Sequence, residues 1–302
     1  MRLRSALLLA ALALAGAAPA ADGPEPRTAV ASLPPVAGVV EAVGGETWRC
    51  VPLVREGSDP HAYEPTPRQM AALAEAEVFF ESGMPFERAL AERVRRLNPS
   101  LRVVELACGH DHAHGHDHAH GHRHDAGEDG EEGSDDPHGW LSTTDLLRYA
   151  EEACEAFSAL DPAHAGDYES ARSRYAERAQ RVAGEAHARL QGAGVRAFAA
   201  FHPAYGHFAA EFGLRQIALE EDGRTPGPRH LAAAERAVRE NGARVLLVQS
   251  GSEERRAAAF LERTGLTVRT ANPLGRDALA VIAAVADALA SGARAAPAEA
   301  AP

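Results

Sequence analysis

A strand–turn–helix alternation runs through this sequence twice, on either side of one long amphipathic segment. In the first half, helical segments separate short β-type runs at residues 28–33, 48–54, 78–81 and 102–106. In the second half, the runs that alternate with helices lie at residues 195–200, 215–219, 244–249 and 267–271. Alternating strands and helices predict parallel sheets with helices packed on their faces. We therefore expect an α/β fold made of two four-stranded parallel-sheet lobes.

The amphipathic segment between the two halves covers residues 167–191 and predicts a single helix. Tyr168, Tyr175, Ala179 and Val182 recur at helical spacing, which places one buried stripe along the segment. A helix of this length rises roughly 37 Å at 1.5 Å per residue. We expect it to be a rigid connection between an N-terminal lobe (28–160) and a C-terminal lobe (193–292).

The N-terminus predicts export. Two arginines, an apolar run at residues 6–15 and the small-residue triplet Ala18-Pro19-Ala20 make residues 1–20 a secretory signal peptide, cleaved before Ala21. The run is shorter than the roughly 20 residues that a membrane-spanning helix needs, and no cysteine follows the cleavage region to take a lipid. We expect a periplasmic protein that is not lipid-anchored.

Charge and cysteine content narrow the partners and the chemistry. The 43 acidic residues outnumber the 31 basic ones, which disfavours nucleic acid and anionic membranes as partners. Three cysteines are present, Cys50, Cys108 and Cys154, and their separation matches no thiolate zinc pattern. In an oxidising compartment two of them can pair, and the sequence does not decide which.

A histidine-rich segment at residues 110–134 indicates metal collection. Its eight histidines are His110, His112, His114, His116, His118, His120, His122 and His124. Imidazole is the commonest metal ligand among side chains, and a matrix of Gly, Asp and Ala cannot bury enough apolar surface to fold. We therefore expect a mobile loop that gathers metal ions rather than one defined site.

A defined site needs ligands on rigid elements, and three further histidines meet that condition. His61 follows the second predicted strand and His202 follows the run at 195–200, so both lie at carboxyl ends of strands, where open α/β sheets bind ligands. His138 lies in the turn-rich motif that ends the histidine-rich region. The alternative for any one of them is an ordinary surface histidine.

Four motifs connect these histidines to a known family: residues 57–67 (GSDPHAYEPTP), 136–141 (DPHGWL), 201–206 (FHPAYG) and 272–275 (NPLG). With these motifs in this order, the chain resembles the periplasmic zinc- and manganese-binding solute-binding proteins of ABC transporters, the ZnuA/TroA-like group. The resemblance implies a metal bound between two lobes by His61, His138 and His202. The histidine-rich insertion is similar to that of the zinc branch.

The resemblance also implies function and partners. It implies a monomeric binding protein that captures Zn²⁺ and delivers it to a membrane permease with its ATPase, with a periplasmic zinc chaperone as a further candidate partner. Three imidazoles suit zinc better than manganese, which prefers oxygen ligands. A periplasmic zinc buffer or adhesin is one alternative. A zinc hydrolase is another, but the sequence has no His-Glu-x-x-His helix or Gly-x-Ser-x-Gly elbow, and we expect no enzyme.

The fourth ligand departs from the family pattern. Many relatives carry an aspartate directly before Pro-Leu-Gly, whereas this chain has Asn272. We expect Asp277 to supply the carboxylate, with water as the alternative, and a helix N-terminal cap as the competing role of Asp277. Glu64 is a candidate to orient a ligand imidazole. His207 is either a histidine at the rim of the cleft or an alternative ligand.

Overall fold

The computed structural model of the protein describes residues 25–55, 57–106, 136–220 and 226–295. The expected signal peptide (1–20), the histidine-rich segment (110–134) and Cys108 lie outside the described residues. Cys50 and Cys154 are both buried free thiols, so they do not pair with each other.

The N-terminal lobe is built from four strands and three helices, followed by a fourth helix. In chain order they are β1 (Arg27–Ala31), α1 (Pro34–Gly44), β2 (Trp48–Pro52), α2 (Pro67–Glu75), β3 (Val78–Glu81), α3 (Pro85–Leu97), β4 (Arg102–Glu105) and α4 (Thr143–Leu160). The strands form one parallel sheet in the order β2-β1-β3-β4. A 3₁₀ turn at Gly139–Leu141 precedes α4.

The C-terminal lobe repeats this plan after the long helix α5 (Ala165–Gly192). Its elements are β5 (Ala197–Ala200), α6 (Gly206–Glu211), β6 (Arg215–Ala218), α7 (Pro228–Glu240), β7 (Val245–Val248), α8 (Gly251–Arg256), α9 (Ala258–Thr264), β8 (Thr267–Thr270) and α10 (Ala278–Ala295). Its parallel sheet has the order β6-β5-β7-β8. The predicted fold, two four-stranded parallel sheets joined by one long helix, is confirmed.

Three of the inner strands are buried along their whole length. Every residue of β3, β5 and β7 is buried, as expected for strands covered by helices on both faces. Local sequence fixes the helix starts as well. At α2, Thr66 accepts a hydrogen bond from the backbone N–H of Gln69, whose side chain accepts one from the backbone N–H of Thr66, and Pro67 occupies the first turn.

The two lobes share one hydrophobic core. Helix α5 has 28 residues and packs against α1 and α4 of the first lobe and α10 of the second. A single cluster of buried side chains includes Phe80 of β3, Phe157 of α4 and Phe198 of β5. Two smaller clusters lie elsewhere, one in each lobe. The lobes are therefore held together by apolar packing and not only by the connecting helix.

The sequence predicts single helices at residues 253–264 and 278–290, and the structure differs at both. The first is divided into α8 and α9 at Ala257, whose N–H is shared between the carbonyls of Glu253 and Glu254, a local tightening of the helical ladder. The second, α10, continues to Ala295. Its 18 residues are long and apolar enough to cross a membrane, but half of the helix is buried inside the protein and its leucines face the shared core.

Candidate metal centre

Three histidines from three different segments meet between the lobes. One side-chain ligand atom from each of His61, His138 and His202 lies within 4.8 Å of the other two. Their ring centroids are 5.1 to 5.4 Å apart. His138 is buried, His202 is half-buried and His61 is exposed, so the group opens to solvent on the side of His61.

The same local turn presents two of the three histidines. The sequence Asp-Pro-His occurs at 59–61 and again at 136–138. In each copy the aspartate accepts a hydrogen bond from the backbone N–H of the histidine two residues later, at 2.9 Å for His61 and 3.0 Å for His138. This hydrogen bond closes a short turn across the proline. The turn fixes the direction in which the histidine side chain points.

The His138 imidazole is held on two sides. Its Nδ1 lies 2.6 Å from the Asp136 carboxylate, and its ring lies 5.1 Å from the ring of Trp140. The Trp140 indole is buried and donates to the carbonyl of Pro273 at 2.8 Å, which links this loop to the segment before α10. His138 therefore occupies a fixed, dry position between the lobes.

The His202 imidazole is held by a carboxylate from a neighbouring strand. Its Nδ1 lies 3.0 Å from Glu220, which follows β6, the strand beside β5 in the sheet. The backbone N–H of Glu220 donates to the carbonyl of Phe201, which brings the two strand ends together. Arg256 hydrogen-bonds Glu220 and stacks over the Phe201 ring. Glu220, the acceptor for His202, is therefore itself held in place by Arg256 and by the backbone of Phe201.

Two groups of the site, His61 and Asp136, have shifted pKa values. Burial lowers the pKa of His61, and the positive charge that His202 can carry lowers it further. Burial opposes ionisation of Asp136, but the hydrogen bonds from His138 outweigh this effect and lower the pKa of the Asp136 carboxyl. An imidazole that donates one ring N–H to a carboxylate is the arrangement typical of metal-binding histidines.

These contacts define what the site can bind. With Nδ1 of His138 and of His202 donating to a carboxylate, Nε2 is the ring nitrogen that remains for a metal ion. Three imidazole nitrogens, two of them on rings oriented by carboxylates, suit zinc among the divalent metals available to proteins, and copper and nickel also bind nitrogen sites. The donor set therefore fits zinc.

Asp277 is placed differently from the three histidines. It accepts from the backbone N–H of Ala280 in the first turn of α10 and forms an ion pair with Arg178 of α5. It lines a cavity with Glu41 and Tyr175, on the side of α1 and α5. Asn272 is exposed, and its side-chain oxygen accepts from the backbone N–H of Leu274. These contacts favour the helix-capping role of Asp277.

The remaining candidates also have defined surroundings. Glu64 is exposed, and within the described ranges the carboxylates hydrogen-bonded to ligand imidazoles are those of Asp136 and Glu220. Both were missed in the sequence. Asp136 could have been found from the repeated Asp-Pro-His, whereas Glu220 could have been found only from the sheet order. His207 contacts oxygen acceptors with both ring nitrogens, which favours a role other than ligation.

Comparison with known proteins places this geometry in context. The sequence model of the family described as zinc-uptake complex component A, periplasmic (ZnuA), matches residues 29–292. The high-affinity zinc uptake system protein ZnuA of Paracoccus denitrificans is 31% identical, over 86% of this chain and 87% of its own. A crystal structure of ZnuA superposes with a TM-score of 0.73 at 29% identity, covering 89% of this chain and 99% of that one. A zinc-bound deletion mutant of ZnuA gives a TM-score of 0.74 at 28% identity, covering 88% and 98%.

Proposed function

Because the chain belongs to the ZnuA family of periplasmic zinc-uptake components, we propose that His61, His138 and His202 are the ligands of the zinc ion it carries. The protein is a solute-binding protein for zinc uptake, and its family works with an ABC transporter permease and ATPase. Zinc is therefore its cargo.

The short distances between the three histidine side chains are the main support for this ligand assignment. Around a zinc ion with bonds of about 2.1 Å, tetrahedral nitrogen ligands lie roughly 3.4 Å apart. The three ligand atoms already lie within 4.8 Å of one another, so adjustments on the order of 1 Å bring them to bonding distance. For the fourth position, the capping contacts of Asp277 support water as the ligand, and we propose water there.

Substitution of each histidine tests the ligand set. His61→Ala, His138→Ala and His202→Ala are each expected to weaken zinc binding by about 100-fold or more, because each removes one of three protein ligands. Binding is measured by competition with a chromophoric chelator. Asp277→Ala and Asn272→Ala are the matched controls, and we expect Asp277→Ala to lower the melting temperature while zinc affinity stays unchanged.

Two outcomes would revise this proposal. A loss of affinity in Asp277→Ala as large as in the histidine variants would make Asp277 the fourth ligand. Wild-type affinity in all three histidine variants would place the zinc site elsewhere in the chain.

We propose that the histidine-rich segment 110–134 collects zinc for this site. Its eight histidines are tethered to the lobe that carries His61 and His138, which gives a captured ion an effective concentration on the order of millimolar near the site. Deleting residues 110–134 is expected to remove weakly bound zinc equivalents and leave one tight site, as measured by calorimetric titration. Loss of the tight site would mean that the segment supplies a primary ligand.

The family's members are periplasmic or extracellular, and we propose a soluble monomer without a lipid anchor, which a periplasmic zinc chaperone can supply with metal. The sequence supports this through the expected cleavage before Ala21 with no cysteine following it. Detergent-free recovery in the periplasmic fraction and the mass by light scattering test it.

A further inference from the structure

Helix α6 of the C-terminal lobe is hydrogen-bonded to the N-terminal lobe beside the metal centre. His207 lies in the first turn of α6, and its Nδ1 is 2.8 Å from the Asp145 carboxylate in α4. Its Nε2 is 3.0 Å from the backbone carbonyl of Asp136. The Asp145 carboxylate also binds Arg148, and a backbone carbonyl can only accept, so we assign His207 as the donor to both partners.

Asp136 connects the hydrogen bonds of His207 to the proposed ligand His138. The backbone carbonyl of Asp136 accepts from His207, while its carboxylate accepts from the backbone N–H and Nδ1 of His138. Helix α6 begins at Gly206, four residues after His202. A continuous path of contacts therefore runs from the segment of His202, through His207 and Asp136, to His138.

Two independent contacts show that α6 fits closely here. A side-chain carbon at Gly206 would lie 2.4 Å from Oδ2 of the Asp136 carboxylate, so the helix approaches Asp136 as near as a glycine allows. One turn later, the Glu211 carboxylate accepts from the backbone N–H of Thr143, at 2.7 Å, and from its hydroxyl. The His207 and Asp145 side chains are only 8% and 5% exposed, so their hydrogen bond is shielded from water.

We propose that His207 is a positioning residue that fixes His138 relative to His202 before zinc arrives. If zinc binding is the function of this centre, its affinity depends on how little the ligands must be ordered when the ion enters. Because His207 holds the Asp136 carbonyl in the folded protein, His138 is already ordered before the ion binds. Loss of this one bond should therefore weaken zinc binding, although His207 does not touch the ion.

A pair of amide substitutions separates the two bonds of His207. In His207→Gln the amide nitrogen replaces Nε2 and keeps the bond to the Asp136 carbonyl, whereas in His207→Asn it replaces Nδ1 and keeps only the bond to Asp145. We expect His207→Gln to retain zinc affinity within about threefold and His207→Asn to lose about tenfold or more, the range typical of residues that hold metal ligands from behind. His207→Gln loses the shielded bond to the Asp145 carboxylate, the stronger of the two, so its melting temperature should fall at least as far as that of His207→Asn.

Glu211→Ala is the matched control on the same helix. It removes the contacts with Thr143 but leaves Asp136 untouched, so we expect lower thermal stability with wild-type zinc affinity. The inference is overturned if His207→Asn binds zinc as tightly as His207→Gln, or if the affinity of all three variants falls in proportion to their stability. Failure of the wild-type protein to bind zinc tightly would instead refute the proposed function, so the two failures are distinguishable.

Discussion

At the scale of single residues, the ligand His202 depends on a carboxylate from another strand. Glu220 accepts from its Nδ1 at 3.0 Å, is 8% exposed and is backed by Arg256. Glu220→Gln keeps an acceptor but removes its charge. We expect zinc affinity to fall by roughly tenfold, at the lower end of the range for partners of metal-bound histidines. Chelator competition at fixed pH measures it.

Glu64→Gln is the control for that variant, because Glu64 is an exposed glutamate in the motif of His61. We expect it to bind zinc like the wild type. The assignment of Glu220 would be wrong if Glu64→Gln lost affinity and Glu220→Gln did not.

A second buried glutamate makes stability depend on pH. Glu81 ends β3 opposite Glu105, is 6% exposed, and its Oε1 has no hydrogen-bond partner in the part of the chain that the structure describes. Burial, together with the negative charges of Glu87 and Glu105, raises the pKa of Glu81 to about 7. The charged form of Glu81 is therefore disfavoured in the folded protein.

The sign of the effect follows from proton binding. An unfolded glutamate has a pKa of about 4.3, so between that pH and about 7 the folded protein holds a proton that the unfolded chain has released. The free energy of unfolding should fall as pH rises through this window and level off above it. Glu81→Gln should exceed the wild type by on the order of 2 kcal/mol at pH 8 and match it near pH 4.

Urea denaturation at both pH values checks this expectation. Glu92→Gln, which changes an exposed glutamate of α3, should keep the wild-type pH profile. Parallel profiles for Glu81→Gln and the wild type would show that Glu81 is not the group responsible.

At the scale of elements, helix α1 approaches the segment before α10 at a position that only glycine fits. A side-chain carbon at Gly38 would lie 1.9 Å from the carbonyl oxygen of Arg276. The Arg276 guanidinium binds Glu41 of the same helix, so neither element can move away without losing that pair. We expect Gly38→Ala to lower the free energy of unfolding by about 1–3 kcal/mol, as overpacking does.

Gly184→Ala in α5 is the matched helical control. Apart from its own helical turn, no atom of the described residues lies within 4 Å of a side-chain carbon there, so removing a flexible glycine should stabilise the protein by roughly 0.5–1 kcal/mol. Equal effects of the two substitutions in urea denaturation would contradict the close packing of α1.

At this scale, the sequence predicts features that are determined by neighbouring residues, but not contacts between segments that are distant in the chain. Thr66 and Pro67 mark the start of α2, and the motifs of His61, His138 and His202 carry their own turns, so these features were predictable. Glu220 was not, because its contact with His202 depends on β6 lying beside β5. His61 follows edge strand β2, and the strand with the same place in the second sheet is β6, which Glu220 follows. His202 instead follows the inner strand β5. The two lobes differ in this respect, and the alternation of strands and helices in the sequence does not reveal the strand order that causes the difference.

Asp277 was ambiguous for a related reason. An aspartate just before a helix serves equally as a cap or as a ligand, and only its observed contacts, with the backbone N–H of Ala280 and with Arg178 of α5, favour the first role. The division of the helix at Ala257 also depends on tertiary packing, since residues 253–264 contain neither proline nor any glycine.

At the scale of the whole molecule, the shared core should make the two lobes unfold together. Phe157 and Phe198 belong to one buried cluster, and α5 packs against helices of both lobes. Separating the lobes would expose that cluster to water, which costs about 25 cal/mol per Å² of apolar surface. We expect one calorimetric transition, and zinc should shift the whole of it to higher temperature. Two resolved transitions would mean that the lobes fold independently.

The contact between Trp140 and His138 has an optical consequence. The chain contains two tryptophans, and only Trp140 lies against a ligand, whereas Trp48 stacks on Phe157 in the core. Indole emission responds to charge placed beside the ring, so an ion arriving at His138 should change the fluorescence of Trp140. In a Trp48→Phe background, emission should change with added zinc and saturate at one equivalent, and the change should disappear in His138→Ala. An unchanged spectrum at full loading would contradict this, whereas a saturating one would mean that the protein reports its own cargo without a dye.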